Sequence, residues 1–231
     1  MKKSNLWLVP AAFFALCCIL NLWGCLSDND LERCVKPALM PLLCLTTFTY
    51  LLTSARSAGA ILLMCAQLFG FAGDTMLLGK GFAFFAGGIG CFMVGHIFYI
   101  TLFGGISWKG LKAWHWAVAL ACCAAIVACL IKVIGISGAM LAPMGIYGFV
   151  LTLLMFSTLA GALSFGGFSW WLLFAGSVLF TFSDALIAVR NFGGLSPFMG
   201  GFVVMITYLA AQTMLAIGSV SLITRQTHRR P

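Results

Sequence analysis

Charge is what this sequence has least of. Only 8% of its 231 residues are charged, 13 of them basic and five acidic. A water-soluble domain spends about a quarter of its residues on charge to build a polar shell. Five acids and 13 bases cannot build one here. Extended polar stretches are missing as well, so the whole of 1–231 reads as a single transmembrane domain with no separate soluble part. Histidine is scarce, with three in the chain, and the cysteines form no CxxC pair. Zinc wants three or four ligands, and only His96 and His115 lie near the membrane, so neither a metal nor a cofactor is expected. There is no GxSxG elbow for a serine hydrolase and no GK[ST] phosphate loop.

What fills the chain instead is hydrocarbon. Apolar residues make up 62%, and stretches of the about 20 residues needed to cross a bilayer recur with short polar punctuation. They predict an all-α, polytopic helix bundle with eight spans at about 6–26, 37–53, 58–79, 82–103, 114–134, 139–163, 170–189 and 198–222. The breaks carry loop chemistry: 27–36 holds three of the five acids, Lys80-Gly81 makes a tight turn, 107–112 is basic, and 191–197 is glycine-rich and ends in proline. Lys and Arg gather on the cytoplasmic side of membrane proteins. The N-terminus, even-numbered loops and C-terminus hold eight of them, against five in the odd-numbered loops and their helix ends. Both termini are therefore expected in the cytoplasm. The net charge of +8 reads as topology rather than nucleic-acid binding, and the basic tail 223–231 as a contact for an anionic leaflet. Met1-Lys2-Lys3 before an apolar run, with a loose lipoprotein-like box at 22–25, raises a cleaved leader as an alternative. Trp23 fits that box poorly and the apolar run is long enough to span, so a retained first span is expected. Cys25 and Cys34 bracket the first outer loop, where an oxidising compartment would permit a disulfide. A short chain with no retention signal favours a bacterial inner membrane over a eukaryotic internal one.

Against this background the polar residues inside spans stand out. Asp74 and Asp184 both fall in apolar stretches. An aspartate at the bilayer centre costs about 2.5–3.5 kcal/mol on insertion scales, so it normally faces the bundle interior with a partner. Each is expected about five residues from the outer end of its span, roughly 7–8 Å at the helical rise. Lys36 and Arg190 lie at span ends close enough in depth to meet them. Gln67, Gly70 and Asp74 share one helical face, as do Ser177, Thr181 and Asp184. His96 with Tyr99, and Tyr208 with Gln212, are likewise co-facial and sit nearer mid-membrane. For Gln67, Ser177 and Thr181 ordinary interhelical hydrogen bonding suffices. The glycines at 87, 88, 90, 95, 200 and 201 read as close-packing positions. Taken together, the remaining residues predict one cavity open to the outer half of the membrane. By residues alone, an enzyme and a proton-coupled or lipid transporter fit this constellation equally, since intramembrane Asp and His also mark ion relays.

Five short motifs run in order along the chain: Lys36-Pro37, Gly73-Asp74, Gly95-His96-Ile97-Phe98-Tyr99, Phe182-Ser183-Asp184 with Arg190-Asn191-Phe192, and Thr207-Tyr208-Leu209-Ala210-Ala211-Gln212. In combination they resemble the YhhN and TMEM86 family over about 36–218, although the segment 104–163 contributes nothing to the match. That resemblance implies a lysoplasmalogenase, which hydrolyses the vinyl ether of a lysophospholipid to a fatty aldehyde and glycerophosphoethanolamine or glycerophosphocholine. It implies Asp74 and Asp184 as the catalytic acid and base in an order left open. Lys36, His96, Tyr99, Arg190, Asn191, Tyr208 and Gln212 would form the substrate-binding set. The expected partners are the lysophospholipid and membrane lipids, with no nucleic acid and an open oligomeric state.

Overall fold

The computed structural model describes residues 5–27, 29–54, 57–135, 138, 141–192 and 200–228. Within these it does not describe the side chains of 53–54, 129–130, 133–134, 191–192, 200 and 228. Arg56, both extreme termini and the connection 193–199 lie outside the described residues. With no water in hydrocarbon to satisfy backbone amides, the apolar runs close their hydrogen bonds internally. Among the described residues, a 3-10 turn at Asn5–Trp7 is followed by eight helices: α1 Leu8–Ser27, α2 Leu31–Ser54, α3 Ala58–Met76, α4 Phe82–Ser107, α5 Ala113–Ile134, α6 Leu141–Phe165, α7 Phe168–Phe192 and α8 Gly200–His228. Seven of them are long and apolar enough to cross a membrane, and α5 carries a shorter apolar stretch, Ala113–Ala128. The protein is a helical membrane bundle.

Large apolar side chains cover the outside of the bundle as well as its core. Leu163, Phe168, Ile19 and Trp23 are exposed, whereas Gln67, Asp74, His96 and Gln212 are buried. Apolar residues face lipid and the polar ones turn inward, where they find partners. Neighbouring helices in the order α1, α2, α3, α4, α6, α7, α8 pack pairwise, and α8 returns to α1, closing a ring. α8 also touches α2 and α3, while α5 sits outside the ring against α6 and α7.

Two helix ends depart from the sequence-based expectation. α2 begins at Leu31 rather than at 37, because the charged segment read as a loop forms its first turns. Asn29 Oδ1 accepts the Leu31 amide at 3.1 Å, the Asp30 carbonyl accepts the Cys34 amide at 3.0 Å, and Glu32 occupies the first turn, where the helix dipole favours an anion. Pro37 and Pro41 thus lie inside the helix, each removing one backbone donor. The stretch read as a basic tail from 223 instead continues α8 to His228. Both Cys25 and Cys34 are free thiols, so the disulfide allowed by their spacing is not formed. Between α3 and α4 the chain reverses through Gly81, whose φ of 97° suits a residue without a Cβ. At Gly95 the α3 and α4 backbones close in: a methyl there would sit 3.0 Å from the Ala66 carbonyl oxygen. Gly90, grouped with it in the sequence, has nothing within 4 Å of the same position and is not a packing glycine.

Candidate active site

Asp74 lies in the last turn of α3, two residues before its end at Met76. That end is the negative pole of the helix dipole, so a carboxylate there needs a compensating group. Two are supplied by other helices. Tyr208 of α8 donates its phenol proton to Asp74 Oδ2 at 2.6 Å, and Lys36 of α2 places Nζ 4.0 Å from Oδ1. Both carboxyl and cation are largely buried, at 4% and 14% side-chain exposure.

Asp184 projects from α7 and is met from α6 by Tyr147, whose phenol donates to Oδ2. It has no cationic partner within salt-bridge distance among the described residues. Asp184 stands eight residues before the end of α7 at Phe192, so the two aspartates are not equally far from their helix ends. A run of aromatic contacts links Tyr208, the partner of Asp74, to Tyr147, the partner of Asp184. The Phe180 centroid is 5.6 Å from Tyr208 and 4.4 Å from His96, and His96 is 5.9 Å from Tyr147.

His96 is buried and its Nδ1 lies 2.6 Å from the Phe92 carbonyl. A carbonyl only accepts, so Nδ1 carries the proton and Nε2 is the acceptor of the neutral ring. Nε2 is buried with no protein partner among the described residues. Deeper in the bundle Tyr99 donates to Gln212 Oε1 at 3.4 Å, and Gln212 Nε2 reaches the Tyr208 oxygen at 3.5 Å. A hydrogen-bonded line therefore runs Tyr99, Gln212, Tyr208, Asp74, with Lys36 at its outer end. Gln67, Ser177 and Thr181 serve packing, as their chemistry alone suggested. Thr47 donates to Gln67 at 2.7 Å, Ser177 pairs with Thr158 at 2.9 Å, and Thr181 bonds back to the Ser177 carbonyl.

The expectation of one shared cavity is corrected by the packing. A polar cavity of about 600 Å³ opens at one end of the bundle, lined by Lys36 and Arg190 together with Glu32, Arg33 and Lys80. A separate, narrow apolar groove between α4, α5, α6 and α7 has Asp184 and Tyr147 in its wall. Asp74, His96, Tyr99, Tyr208 and Gln212 line neither, and Phe180 packs against Tyr208 and His96 among them. Phe85 borders both cavities. Arg190 is exposed at the polar mouth and forms no salt bridge with either aspartate. The Asn191 side chain lies outside the described residues.

Tyr147 is the residue that reading the sequence missed. Its only signal is that a tyrosine inside a span carries a hydroxyl needing a partner, and it falls in the segment where no motif was recognisable. Arg33 on α2 and Lys80 in the α3–α4 turn were also overlooked as site residues, since a charge at a span end reads first as topology. Arg33 donates to the Leu78 carbonyl at 3.0 Å and so ties the start of α2 to the end of α3.

The arrangement offers two buried carboxyls of unlike surroundings, one beside a cation and one held by a phenol alone. Comparison with known proteins adds an independent line. The chain is 29% identical over 226 residues to Lysoplasmalogenase TMEM86B of Mus musculus, covering 93% of this chain and 86% of that protein. It is 28% identical over 237 residues to Lysoplasmalogenase TMEM86A of Homo sapiens, covering 95% and 91%. No solved structure matches. The YhhN family model matches residues 31–219, a span that holds every site residue described above, and the chain belongs to the YhhN family.

Proposed function

We propose that this protein is a membrane-embedded lysoplasmalogenase, hydrolysing the vinyl ether of a lysophospholipid to a fatty aldehyde and the glycerophospho-headgroup alcohol. The observation that carries the reading is a pair of buried aspartates, Asp74 beside Lys36 of the cationic cavity and Asp184 in the wall of the apolar groove. The headgroup phosphate belongs with Lys36, Lys80 and Arg190, where charge-assisted hydrogen bonds hold an anion. The alkenyl chain belongs in the groove along Ile89, Val127 and Leu151, which leaves the ether oxygen between the two.

Vinyl ether hydrolysis begins with proton transfer to the β-carbon. Lys36 beside Asp74 favours that residue as the carboxylate, and Asp184, bonded among the described residues by Tyr147 alone, as the proton donor. Protonation of the β-carbon generates an oxocarbenium ion that the Asp74 carboxylate stabilises, as paired acids do for the similar cation of glycoside hydrolysis. Water then adds to the cationic carbon and gives a proton to Asp74. The resulting hemiacetal collapses: Asp74 passes that proton to the departing glycerol oxygen, and the hemiacetal hydroxyl reprotonates Asp184. The aldehyde leaves and both carboxyls return to their starting states. His96, Tyr99 and Gln212 are positioning groups along the same polar line.

The two relatives named as lysoplasmalogenases favour this reading over a carrier. The direct test is turnover of a defined lysoplasmalogen in D2O by the detergent-purified protein. One deuterium at carbon 2 of the trapped aldehyde is expected. Unlabelled aldehyde, or none with any headgroup, contradicts the proposal.

A further inference from the structure

The polar cavity is not purely cationic. Among its lining residues Arg33, Lys36, Lys80 and Arg190 carry positive charge, and one acid, Glu32, joins them. Glu32 is half-buried in the first turn of α2. Its neighbours fix which wall it occupies: its backbone lies against Gly24 of α1, its carboxylate faces Gly201 of α8, with Oε2 3.7 Å from where a Cβ on that glycine would stand, and its carbonyl accepts a proton from the buried Asn21 at 3.1 Å. Arg33, next in sequence, turns the other way, toward the Leu78 carbonyl at the end of α3. The cavity thus has a carboxylate on its α1–α8 side and cations toward the α3–α4 turn and the end of α7.

We infer that Glu32 is a specificity-determining residue that selects a primary ammonium, so that the protein prefers ethanolamine over choline headgroups. A zwitterion carrying a phosphate and an ammonium matches the cavity's charge layout from end to end. A primary ammonium has three N–H donors and can give one or two of them to such a carboxylate, whereas a quaternary ammonium donates none and is recognised instead by aromatic faces. The two aromatic rings lining this cavity, Phe82 and Phe85, both come from α4, not from the helices around Glu32. A small residue at 201 leaves room beside the carboxylate for the ammonium to approach. The inference takes its substrate from the hydrolase reading, but the recognition chemistry stands apart from the cleavage step and is tested apart from it.

Two arms separate these. In the first, kcat/KM is measured for lysoplasmalogens differing only in headgroup, with wild type and Glu32→Gln. A charge-assisted hydrogen bond at a partly open site predicts an ethanolamine preference of about tenfold, and Glu32→Gln collapses the ratio toward one. In the second arm, needing no turnover, thermal stabilisation of the full-length wild type by soluble glycerophosphoethanolamine is compared with that by glycerophosphocholine. Stronger stabilisation by the ethanolamine compound is expected, and its loss in Glu32→Gln. Stabilisation by this soluble compound identifies the phosphate–ammonium unit itself as the ligand; an ethanolamine preference confined to the lipid arm overturns that. Equal wild-type response to both headgroups overturns the inference, whether or not Glu32→Gln folds. A wild type that cleaves no vinyl ether yet distinguishes the two soluble compounds overturns the hydrolase reading and leaves Glu32 its role.

Discussion

Removing one oxygen from Tyr147 isolates the least anticipated contact of the site. Tyr147→Phe keeps the ring that packs beside His96 and deletes the donor to Asp184. The phenol stabilises the carboxylate that Asp184 becomes as it gives up its proton; a hydrogen bond to a charged group contributes about 1.5–3 kcal/mol, so kcat is expected to fall about 10–100-fold. KM for a defined lysoplasmalogen should change little, because the phenol touches a carboxyl rather than the headgroup. Steady-state kinetics on the purified variant check this, and a kcat within twofold of wild type would mean Asp184 does not depend on the phenol. The contrast between Tyr147 and the aspartates explains what single residues reveal in sequence. Hydrocarbon makes a carboxyl so costly that Asp74 and Asp184 announce themselves without a partner in view. A tyrosine is at ease in a span, and which acid it serves depends on how α6 is turned against α7. Gln67 was legible in the opposite sense: its spacing placed it on the face of Asp74, and it does share that buried face, but its bond to Thr47 makes it a packing residue.

At the scale of elements, the distinction between Gly95 and Gly90 gives a sharp test. Both lie on α4, yet only Gly95 faces a neighbouring backbone within 4 Å. Gly95→Leu should force α3 and α4 apart just below Asp74, an overpacking cost of about 1–3 kcal/mol, with a lower melting temperature in detergent and reduced turnover. Gly90→Leu should leave both near wild type. Equal effects at the two positions would contradict the α3–α4 packing described above. The glycine run in sequence could not tell these two apart, because which face of α4 meets α3 is a tertiary fact. Span positions, by contrast, were readable from hydropathy, since the bilayer imposes a minimum apolar length. The ends of α2 and α8 were not, because a helix that runs past the hydrocarbon no longer has to be apolar. Charged residues at 30–36 and the polar stretch from 224 therefore looked like loop and tail.

For the whole molecule, the orientation expected from charge counting is open to direct test. The polar cavity collects residues from the start of α2, the α3–α4 turn and the end of α7, the end of the bundle that the lysine and arginine bias places outside. Cys34 is an exposed free thiol at this end. In intact cells it should react with a membrane-impermeant maleimide, and Cys34→Ser should abolish that labelling. Reaction only after permeabilisation would reverse the orientation and put the cavity in the cytoplasm. What no linear reading supplies is the ring. That α8 packs on α1, α2 and α3 while α4 packs on α6 brings Tyr208 to Asp74 across 134 residues of sequence, and separates the polar cavity from the groove that the sequence seemed to merge. The proposed hydrolysis needs two carboxyls acting together on a vinyl ether. The measurement that tests it most directly is aldehyde release from a defined lysoplasmalogen by purified wild type, Asp74→Asn and Asp184→Asn. Release by the wild type and none from either folded variant is the predicted result. Near-normal release from both variants would contradict it.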